Sequence, residues 1–311
     1  MTSSSSSRNS LLELTRRISN FHFENSTQLY LPFICESHQV GLVAPEVAEH
    51  LKKYPEVLTV SKEGVVLSPG LDNPQRRNNG LEKILLDMKE KKIFPTLSGW
   101  RNEKYEIKTT FSSKLLFEME RAATPLFGIR SYGCHINGYV NHSTLGLCLW
   151  TQKRSMTKPT WPGMNDNFVG GGLSSGMGVR ETAIKEAGEE ANVPEHLAVQ
   201  MKQAGSVSFL HKNERGLNPQ TEFVFDLELP ETFSPGNNDG EVESFKLVPV
   251  EEVRSLICSG QYKTTSCAIA LDWLIRNGIV TPETDPDFPA IVENIHLPVH
   301  QLYNNRSMVI K

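Results

Sequence analysis

The chain has 311 residues, of which 38% are hydrophobic and 22% are charged, and its formal net charge is −4. This length and composition predict one large domain or two modest domains with a buried core. The mild negative charge argues against general nucleic-acid binding, and the lack of a polybasic cluster argues against a membrane-surface role. No apolar run reaches the roughly 20 residues that a membrane-spanning helix needs.

The cysteines and the first residues bear on the compartment. Five cysteines stand singly and none forms a Cys-x-x-Cys pair, so a full disulfide framework is not expected and a reducing compartment is favoured. Residues 1–10 are small and polar and are predicted to be disordered. The serine-rich start with Arg8, Arg16 and Arg17 is similar to a weak transit peptide, but Glu13 argues against it. We therefore expect a cytoplasmic protein, with an organelle as the less favoured alternative.

Residues 11–125 are predicted to form an α+β unit. Apolar patterns predict a short amphipathic helix after residue 10, and strands over residues 29–36, 38–44 and 63–69. Helical spacing predicts helices over residues 44–55, 80–95 and 111–124. No motif in this unit indicates a site, so a scaffold or a substrate-shaping module is the default interpretation.

The character of the sequence changes near residue 125, where we place a domain boundary. Residues 126–280 are predicted to form a second domain, and residues 281–311 a proline-containing tail along the surface. The second domain is predicted to begin with a hairpin over residues 133–154 and to continue with a turn-rich stretch. A helix is predicted over residues 179–192, strands over 206–212 and 221–230, a helix from near Val250, and another that ends at Gly278.

The stretch "GGGLSSGMGVRETAIKEAGEEANV" joins a glycine run to a group of carboxylates. Glu186, Glu189 and Glu190 are related by helical spacings of three and four, which predicts a shared face. Like charges at such spacings repel by about 0.2–0.5 kcal/mol per pair. One interpretation is a solvated acidic face, eased by Lys185 and Arg180. The other is a site for a hard divalent cation such as Mg²⁺, which prefers carboxylate oxygens and substrate phosphates. The preceding glycines favour the second, because they let the backbone approach a ligand closely.

These residues resemble the box of the Nudix hydrolase family, a glycine followed by a glutamate and then by Arg-Glu-U-x-Glu-Glu-x-Gly-U, with U an aliphatic residue. On this chain Gly171 is the first glycine, and the three carboxylates match. Met177 stands at the first glutamate position and Lys185 at the arginine position. The remaining positions of the box that we consider are Gly172, Ala187, Asn192 and Val193.

The resemblance implies an α/β (α+β) fold, a Nudix α/β/α sandwich with a mixed central sheet, preceded by a smaller α+β N-terminal domain. It also implies Mg²⁺, with Mn²⁺ as a substitute, held by Glu186, Glu189, Glu190 and Gly171. In the family the first glutamate chiefly pairs with the box arginine and orders the loop. Because both members have changed here, Met177 and Lys185 are interpreted as an altered structural support, and an active enzyme is favoured.

The stretches "KPTWPGMNDNFVGGGL", "NPQTEFVFDLELP" and "NNDGEVESFKLVPVEEV" resemble the Nudix branch related to fungal thiamine pyrophosphokinase. This likeness implies hydrolysis of thiamine diphosphate and its oxo- and oxy- forms to monophosphates. We therefore expect a small-molecule diphosphate as the partner, with no nucleic-acid polymer and no membrane. The oligomeric state stays open.

The sequence supports some of the candidate site residues more strongly than others. Glu190 or Glu189 is the favoured catalytic base, and Glu241 and Glu243 are outside candidates. The weaker candidates for phosphate contact, heterocycle stacking or pocket lining are Lys158, Arg130, Arg154, Trp161, Gln220 and Glu222. For each of them an exposed or structural role is an open alternative, and His135 and His211 are expected to be structural.

Three other functions stay open. The second enzyme interpretation is an oxidised-nucleotide diphosphatase that acts on compounds such as 8-oxo-dGDP, and turnover of this compound beside oxothiamine diphosphate separates the two. A non-catalytic binding module would keep its ligand affinity in a Glu190→Gln variant. An isomerase sharing the fold would need a cysteine facing the substrate, for which Cys134 and Cys148 are the candidates.

Overall fold

The computed structural model describes residues 10–22 and 30–304. The predicted disorder of residues 1–10 lies outside the described residues except at Ser10. This residue caps helix α1 (Leu11–Ile18), because its hydroxyl accepts a hydrogen bond from the backbone N–H of Glu13 at 3.1 Å. The end of the predicted tail, residues 305–311, also lies outside.

The first half of the chain contains a four-stranded sheet with strand order β2-β1-β4-β3 and a separate two-stranded sheet, β5-β6. The elements in chain order are β1 (Leu31–Cys35), β2 (His38–Val43), α2 (Pro45–Leu51), β3 (Leu58–Ser61), β4 (Gly64–Leu67), α3 (Pro74–Glu90), a 3₁₀ helix (Pro95–Gly99), β5 (Lys104–Lys108), β6 (Leu115–Glu120) and a 3₁₀ helix (Arg121–Phe127). The predicted α+β character of this half is confirmed.

The helix predicted over residues 111–124 is wrong. Its centre is strand β6, which pairs antiparallel with β5 from Lys104↔Glu120 to Lys108↔Leu115. Short apolar runs fit a strand as well as a helix. Here the pairing with β5 satisfies the backbone, while Phe117 and Met119 are buried in the core of this half.

The second half is built on a seven-stranded sheet with the central order β11-β12-β7-β8-β13. Its strands are β7 (Ser131–His142), β8 (Gly146–Arg154), β9 (Asn165–Asn167), β10 (Val169–Gly172), β11 (Lys202–Asn213), β12 (Gly216–Glu228) and β13 (Val242–Pro249). β7 and β8 form the predicted hairpin, whereas β7 and β12 run parallel. The mixed central sheet is confirmed.

Helices cover both faces of this sheet. They are α4 (Val179–Ala191), α5 (Glu195–Ala198), α6 (Val250–Cys258), a 3₁₀ helix (Thr264–Ser266), α7 (Cys267–Arg276), α8 (Phe288–Ile295) and α9 (Val299–Asn304). The neighbours Val224 and Phe225 point to opposite faces, the first into the cluster with α6 and α7 and the second into the cluster with α4. The α/β/α sandwich is confirmed. None of the helices in the described part of the chain combines the length and the apolar character that a bilayer crossing requires.

Helices α1 and α8 pack on the second half. Leu11, Leu14 and Ile18 of α1 are buried in the cluster that contains α7 and α8. The amide of Asn294 in α8 donates to the hydroxyl of Thr15 at 3.1 Å. The described part of the predicted tail therefore forms two helices. Ile291 and Ile295 of α8 complete this cluster, whereas Val299 and Tyr303 of α9 are buried in the core of the first half.

The two-stranded sheet of the first half lies against the loop that follows β10. The backbone N–H of Ser175 donates to the carbonyl of Lys104 at 2.9 Å. Leu210 and Leu217, at the end of the β11-β12 hairpin, join the core of the first half. The first half is thus held beside the edge of the sheet where the glycine run and α4 meet.

Candidate active site

Helix α4 has an apolar stripe along one face. Ala183, Ala187 and Ala191 are fully buried against the sheet. The helix ends at Asn192, whose φ of 51° and ψ of 37° are the left-handed conformation expected of a residue in the place of a terminal glycine.

The three carboxylates of α4 do not share one surface. Glu190 is 3% exposed, and its Oε2 accepts hydrogen bonds from the Gly170 N–H at 3.0 Å and from the Gln152 amide at 3.2 Å. Burial raises its pKa to about 8. Glu189 is half-exposed and pairs with Lys185 at 2.5 Å, and Glu186 lies between these environments. Adjacent helical residues are about 100° apart, so Glu189 and Glu190 diverge.

The predicted grouping of these carboxylates is therefore looser than helical spacing suggested. Within residues 10–22 and 30–304, no three His, Cys, Asp or Glu side chains converge tightly enough to hold a metal ion as they stand. Glu186 and Glu189 face the same cleft, while Glu190 points beneath the sheet edge.

The glycine run forms a strand and not a flexible loop. Gly170, Gly171 and Gly172 pair with β7, and none of the three has a positive φ. What they provide is space. A Cβ at Gly171 would lie 2.4 Å from Cγ and Cδ of Glu186. At Gly170 it would meet the His135 ring at 2.6 Å, and at Gly172 the hydroxyl of Tyr105 at 2.3 Å.

A cleft of about 770 Å³ opens between α4, the β10 edge and the first half of the chain. Two sets of charged side chains line it. The first, here called the acidic wall, consists of Glu186, Glu189 and Glu241. The second, here called the basic wall, consists of Arg101, Arg121, Arg215, Lys158 and Lys263. A cleft with both signs suits a ligand that combines a cation with phosphate groups.

Two ion pairs line the cleft. Lys158 pairs with Glu241, and the Lys158 side chain is 11% exposed. Arg121 pairs with Glu103 at 2.9 Å and lies 5.6 Å from the ring centre of Tyr105. Lys158, which was predicted to contact phosphate, thus lies in the cleft beside Glu241, a less favoured candidate for the catalytic base.

A buried ionic group borders the cleft through Arg154 and Lys263. Asp166 accepts from Arg154 at 2.9 Å and lies 3.3 Å from Lys263. These two cations hold the pKa of the Asp166 carboxyl well below its usual range despite its burial. Next to it, burial lowers the pKa of His135 to about 3, so its ring is neutral and hydrogen-bonded to the Asn167 amide at 3.1 Å.

The other predicted residues divide between the cleft and its surroundings. Trp161, Gln220, Glu222 and His211 line it. Glu222 is 7% exposed, and burial raises its pKa to about 7. Its Oε2 occupies the space beside Gly133, where a Cβ would meet it at 2.2 Å.

Arg130 and Glu243 lie elsewhere. Arg130 is buried and donates to the carbonyls of Lys108 at 3.2 Å and Thr109 at 2.9 Å. It lines a smaller neighbouring pocket of about 150 Å³. Glu243 pairs with Lys153 at 2.8 Å and does not line the cleft.

Comparison with known proteins decides the family. A model of the NUDIX domain matches residues 140–266, and a model of a domain of unknown function, DUF4743, matches residues 10–131. The chain is 37% identical over 265 residues to Nudix hydrolase 20, chloroplastic, of Arabidopsis thaliana, covering 82% of this chain and 70% of that protein. Nudix hydrolase 24, chloroplastic, of the same plant is 36% identical, with the same coverage. The chain belongs to the Nudix hydrolase family.

Solved structures with a similar fold have low identity. DR0079 of Deinococcus radiodurans has a TM-score of 0.40 at 20% identity and covers 56% of this chain and 98% of that one. The Nudix domain of Shewanella oneidensis NrtR, complexed with ADP ribose, has a TM-score of 0.39 at 13% identity, covering 50% and 91%.

As a member of this family, the chain is a hydrolase of diphosphate linkages in small molecules. Nudix hydrolases generally use divalent metals such as Mg²⁺. Predicted membership with an N-terminal domain of unknown function is thereby confirmed.

The Nudix loop between β10 and α4 is held by residues outside the box. Met177 lies in the smaller pocket with Tyr105, Phe111 and Tyr132, and Lys185 pairs with Glu189. The hydroxyl of Ser174 donates to Glu103 at 2.9 Å, and that of Ser175 donates to Glu118. The first half of the chain therefore fastens the loop whose usual Nudix ion pair is missing.

The two cysteines needed by the isomerase alternative do not face the cleft. Cys134 and Cys148 are both buried, and desolvation raises the pKa of each thiol. Neither is among the residues that line the cleft. The isomerase alternative thus finds no support in the Nudix site.

Sequence reasoning missed the contribution of the first half. Arg101, Glu103, Tyr105 and Arg121 all line the Nudix cleft, together with Arg215 from the β11-β12 turn. They belong to no motif, and their distance along the chain from the box leaves no local pattern that would have found them.

Proposed function

We propose that this Nudix hydrolase is a Mg²⁺-dependent diphosphatase that converts thiamine diphosphate and its oxidised forms to the monophosphate and phosphate. The observation that carries the proposal is that the acidic wall and the basic wall line the same cleft. A cation-bound diphosphate has the complementary distribution of charge. The sequence likeness to the thiamine pyrophosphokinase-related branch supports thiamine as the organic group of the substrate.

The residues present fit a hard divalent cation. Glu186, Glu189, Glu190 and the carbonyl of Gly171 offer only oxygen donors, which Mg²⁺ prefers. The missing Cβ of Gly171 leaves the Glu186 carboxylate its space. Beside Glu190, the Oε1 of Gln152 is buried and has no hydrogen-bond partner among the described residues. When bound, the cation would neutralise the charge that develops on the phosphoryl oxygens.

The chain's own side chains then divide the remaining work. Lys158 and the arginines of the basic wall would bind the phosphate groups by charge-assisted hydrogen bonds. Glu189 and Glu190 are proposed to orient or deprotonate the attacking water. Glu222 joins them as a third candidate, because it is a buried carboxylate that lines the cleft. Trp161 would stack on the heterocycle at the rim.

The proposed compartment is the cytoplasm. All five cysteines are buried and free, which suits a reducing environment. The two Arabidopsis relatives are named as chloroplastic, so an organelle is the alternative to be tested by microscopy of the tagged full chain.

The experiment is a phosphate-release screen of the full chain with thiamine diphosphate, oxothiamine diphosphate and 8-oxo-dGDP, with Mg²⁺ and after its removal by a chelator. We expect turnover of the thiamine compounds, loss on chelation, and loss of at least about 100-fold in Glu189→Gln, the scale seen when one charge-stabilising group is removed. Glu90→Gln, at the exposed end of α3, is the matched control.

Each alternative has its own outcome. Faster turnover of 8-oxo-dGDP than of the thiamine compounds would replace the substrate but keep the enzyme. No release from any compound with Mg²⁺ or Mn²⁺, combined with unchanged ligand affinity in Glu190→Gln, would indicate the non-catalytic binding module.

A further inference from the structure

Three arginines of the basic wall come from outside the Nudix box, and they are not equally neutralised. Arg121 has the carboxylate of Glu103 at 2.9 Å. Arg101 and Arg215 have no carboxylate within 4.0 Å in the part of the chain that the structure describes. Both are half-buried and both line the cleft. Two guanidinium groups therefore line the cleft without a carboxylate among the described residues to form an ion pair with them.

The local contacts fix these two arginines but leave their outer nitrogens available. The backbone N–H of Arg101 donates to Glu120 at 3.1 Å. The backbone N–H of Arg215 donates to Asn213 at 3.0 Å, and its Nε donates to the Thr96 hydroxyl at 3.2 Å. Among the described residues, neither the Arg101 guanidinium nor the terminal nitrogens of Arg215 have a hydrogen-bond acceptor.

The surroundings make this arrangement unfavourable for the protein alone. Burial lowers the pKa of Arg101, and the charge of Arg121 lowers it further, while Glu103 and Glu241 act in the opposite direction. Burial also lowers the pKa of Arg215, followed by the charges of Arg121 and Arg101. An anion between the two guanidinium groups would offset both the lost hydration and the repulsion.

We propose that Arg101 and Arg215 bind the free terminal phosphate of the substrate and thereby select diphosphates with one ester over those esterified at both ends. This inference rests on the proposed function. A terminal phosphate carries more charge and more free oxygens than a bridging one, and it matches two planar guanidinium forks. A second ester would place its substituent against the same two arginines.

The inference also assigns a task to the first half of the chain. Arg101 lies between the 3₁₀ helix Pro95–Gly99 and β5, and its neighbour Glu103 holds both Arg121 and Ser174. The N-terminal unit would therefore form part of the substrate site, in agreement with the substrate-shaping role that the sequence left open.

The test compares wild type with Arg101→Gln and Arg215→Gln in the full chain with Mg²⁺. The substrates are thiamine diphosphate and ADP-ribose, which is a diphosphate esterified at both ends. For ADP-ribose we measure the turnover, or, if it is not hydrolysed, its inhibition constant against thiamine diphosphate. Calorimetry with methylenediphosphonate, a diphosphate analogue that is not hydrolysed, measures binding separately. Arg76→Gln, which removes an exposed ion pair with Asp72 on α3, is the matched control.

We expect each variant to raise the KM for thiamine diphosphate and the Kd of methylenediphosphonate by about tenfold or more, the value of a hydrogen bond to a charged group. The constants for ADP-ribose should change by less than about twofold, because it lacks the terminal phosphate. Lysine in place of either arginine keeps the charge but loses the fork, so it should give an intermediate effect. Thermal melting of every variant checks that it is folded.

Equal losses with thiamine diphosphate and ADP-ribose, or no loss with either, would overturn the inference. If wild type hydrolyses no thiamine compound, the proposed function fails separately. The methylenediphosphonate titration then tests the role of the two arginines independently of turnover. Weaker binding in the variants supports the assignment, and unchanged binding refutes it.

Discussion

The two walls of the cleft are built in different ways. The acidic wall comes largely from one helix, α4, whose Glu186 and Glu189 lie three positions apart in the chain, and Glu241 completes it. The basic wall is assembled from the first half of the chain, the turn between β11 and β12, and loops of the second half. A wall made from one helix is visible in the sequence, whereas a wall made from distant segments depends on how those segments pack.

The two walls also differ in how their side chains are held. On the acidic side, Glu186 depends on the space that Gly171 leaves free. On the basic side, Glu103 links Arg121 to the Nudix loop through Ser174. A steric change should therefore harm the first wall most, and a change of charge should harm the second.

The largest effect is expected from Gly171→Ala. The new Cβ would lie 2.4 Å from Glu186, so the carboxylate has to move. Displacement of a catalytic group by about 1 Å can cost roughly 100-fold in rate, and we expect kcat/KM to fall by about that much.

Its control is Gly188→Ala on α4, the helix that carries Glu186, where a Cβ meets nothing within 4 Å. This variant should keep its activity and gain about 1 kcal/mol in the free energy of unfolding, measured by denaturant titration. Activity near that of wild type in Gly171→Ala would show that Glu186 does not need its observed position.

A smaller effect is expected from Glu103→Gln, which tests the basic wall. The amide keeps a partner for Ser174 but removes the charge opposite Arg121. Since a half-buried charge-assisted hydrogen bond contributes about 1.5 kcal/mol, kcat/KM for the diphosphate should fall by about tenfold.

The matched change is Glu82→Gln, which removes the pair with Lys104 at 3.1 Å outside the cleft. It should leave the steady-state constants unchanged. If both variants lose the same activity, the loss reflects the stability of the first half and not the charge of the basic wall.

The smallest effect is expected from Met177→Glu, which restores the box glutamate. Because Ser174 and Ser175 already fasten the loop to Glu103 and Glu118, kcat/KM should change by less than about threefold, as for most substitutions at partly exposed positions. Kinetics at saturating Mg²⁺ measure this. A gain of tenfold would mean that the first half fastens the loop poorly and that the lost ion pair limits the rate.

Local periodicity predicted much of the second half. The helix α4 and the hairpin β7-β8 follow from spacings of two to four residues, and the structure confirms them. The helix predicted over residues 111–124 failed for the opposite reason. The run around Leu116 and Phe117 is short enough for either conformation, and its partner strand β5 decided between them.

The sequence by itself determined the family, the oxygen-rich box and the helix that presents it, because these depend on residues a few positions apart. Only the tertiary structure decided three things. It placed Glu190 and Glu189 in different environments. It made the glycine run a strand whose missing side chains leave room for the neighbouring side chains. It also brought Arg101 and Arg215 to the same cleft. Contacts between segments so far apart in the chain arise from burial of the shared core, which no local spacing records.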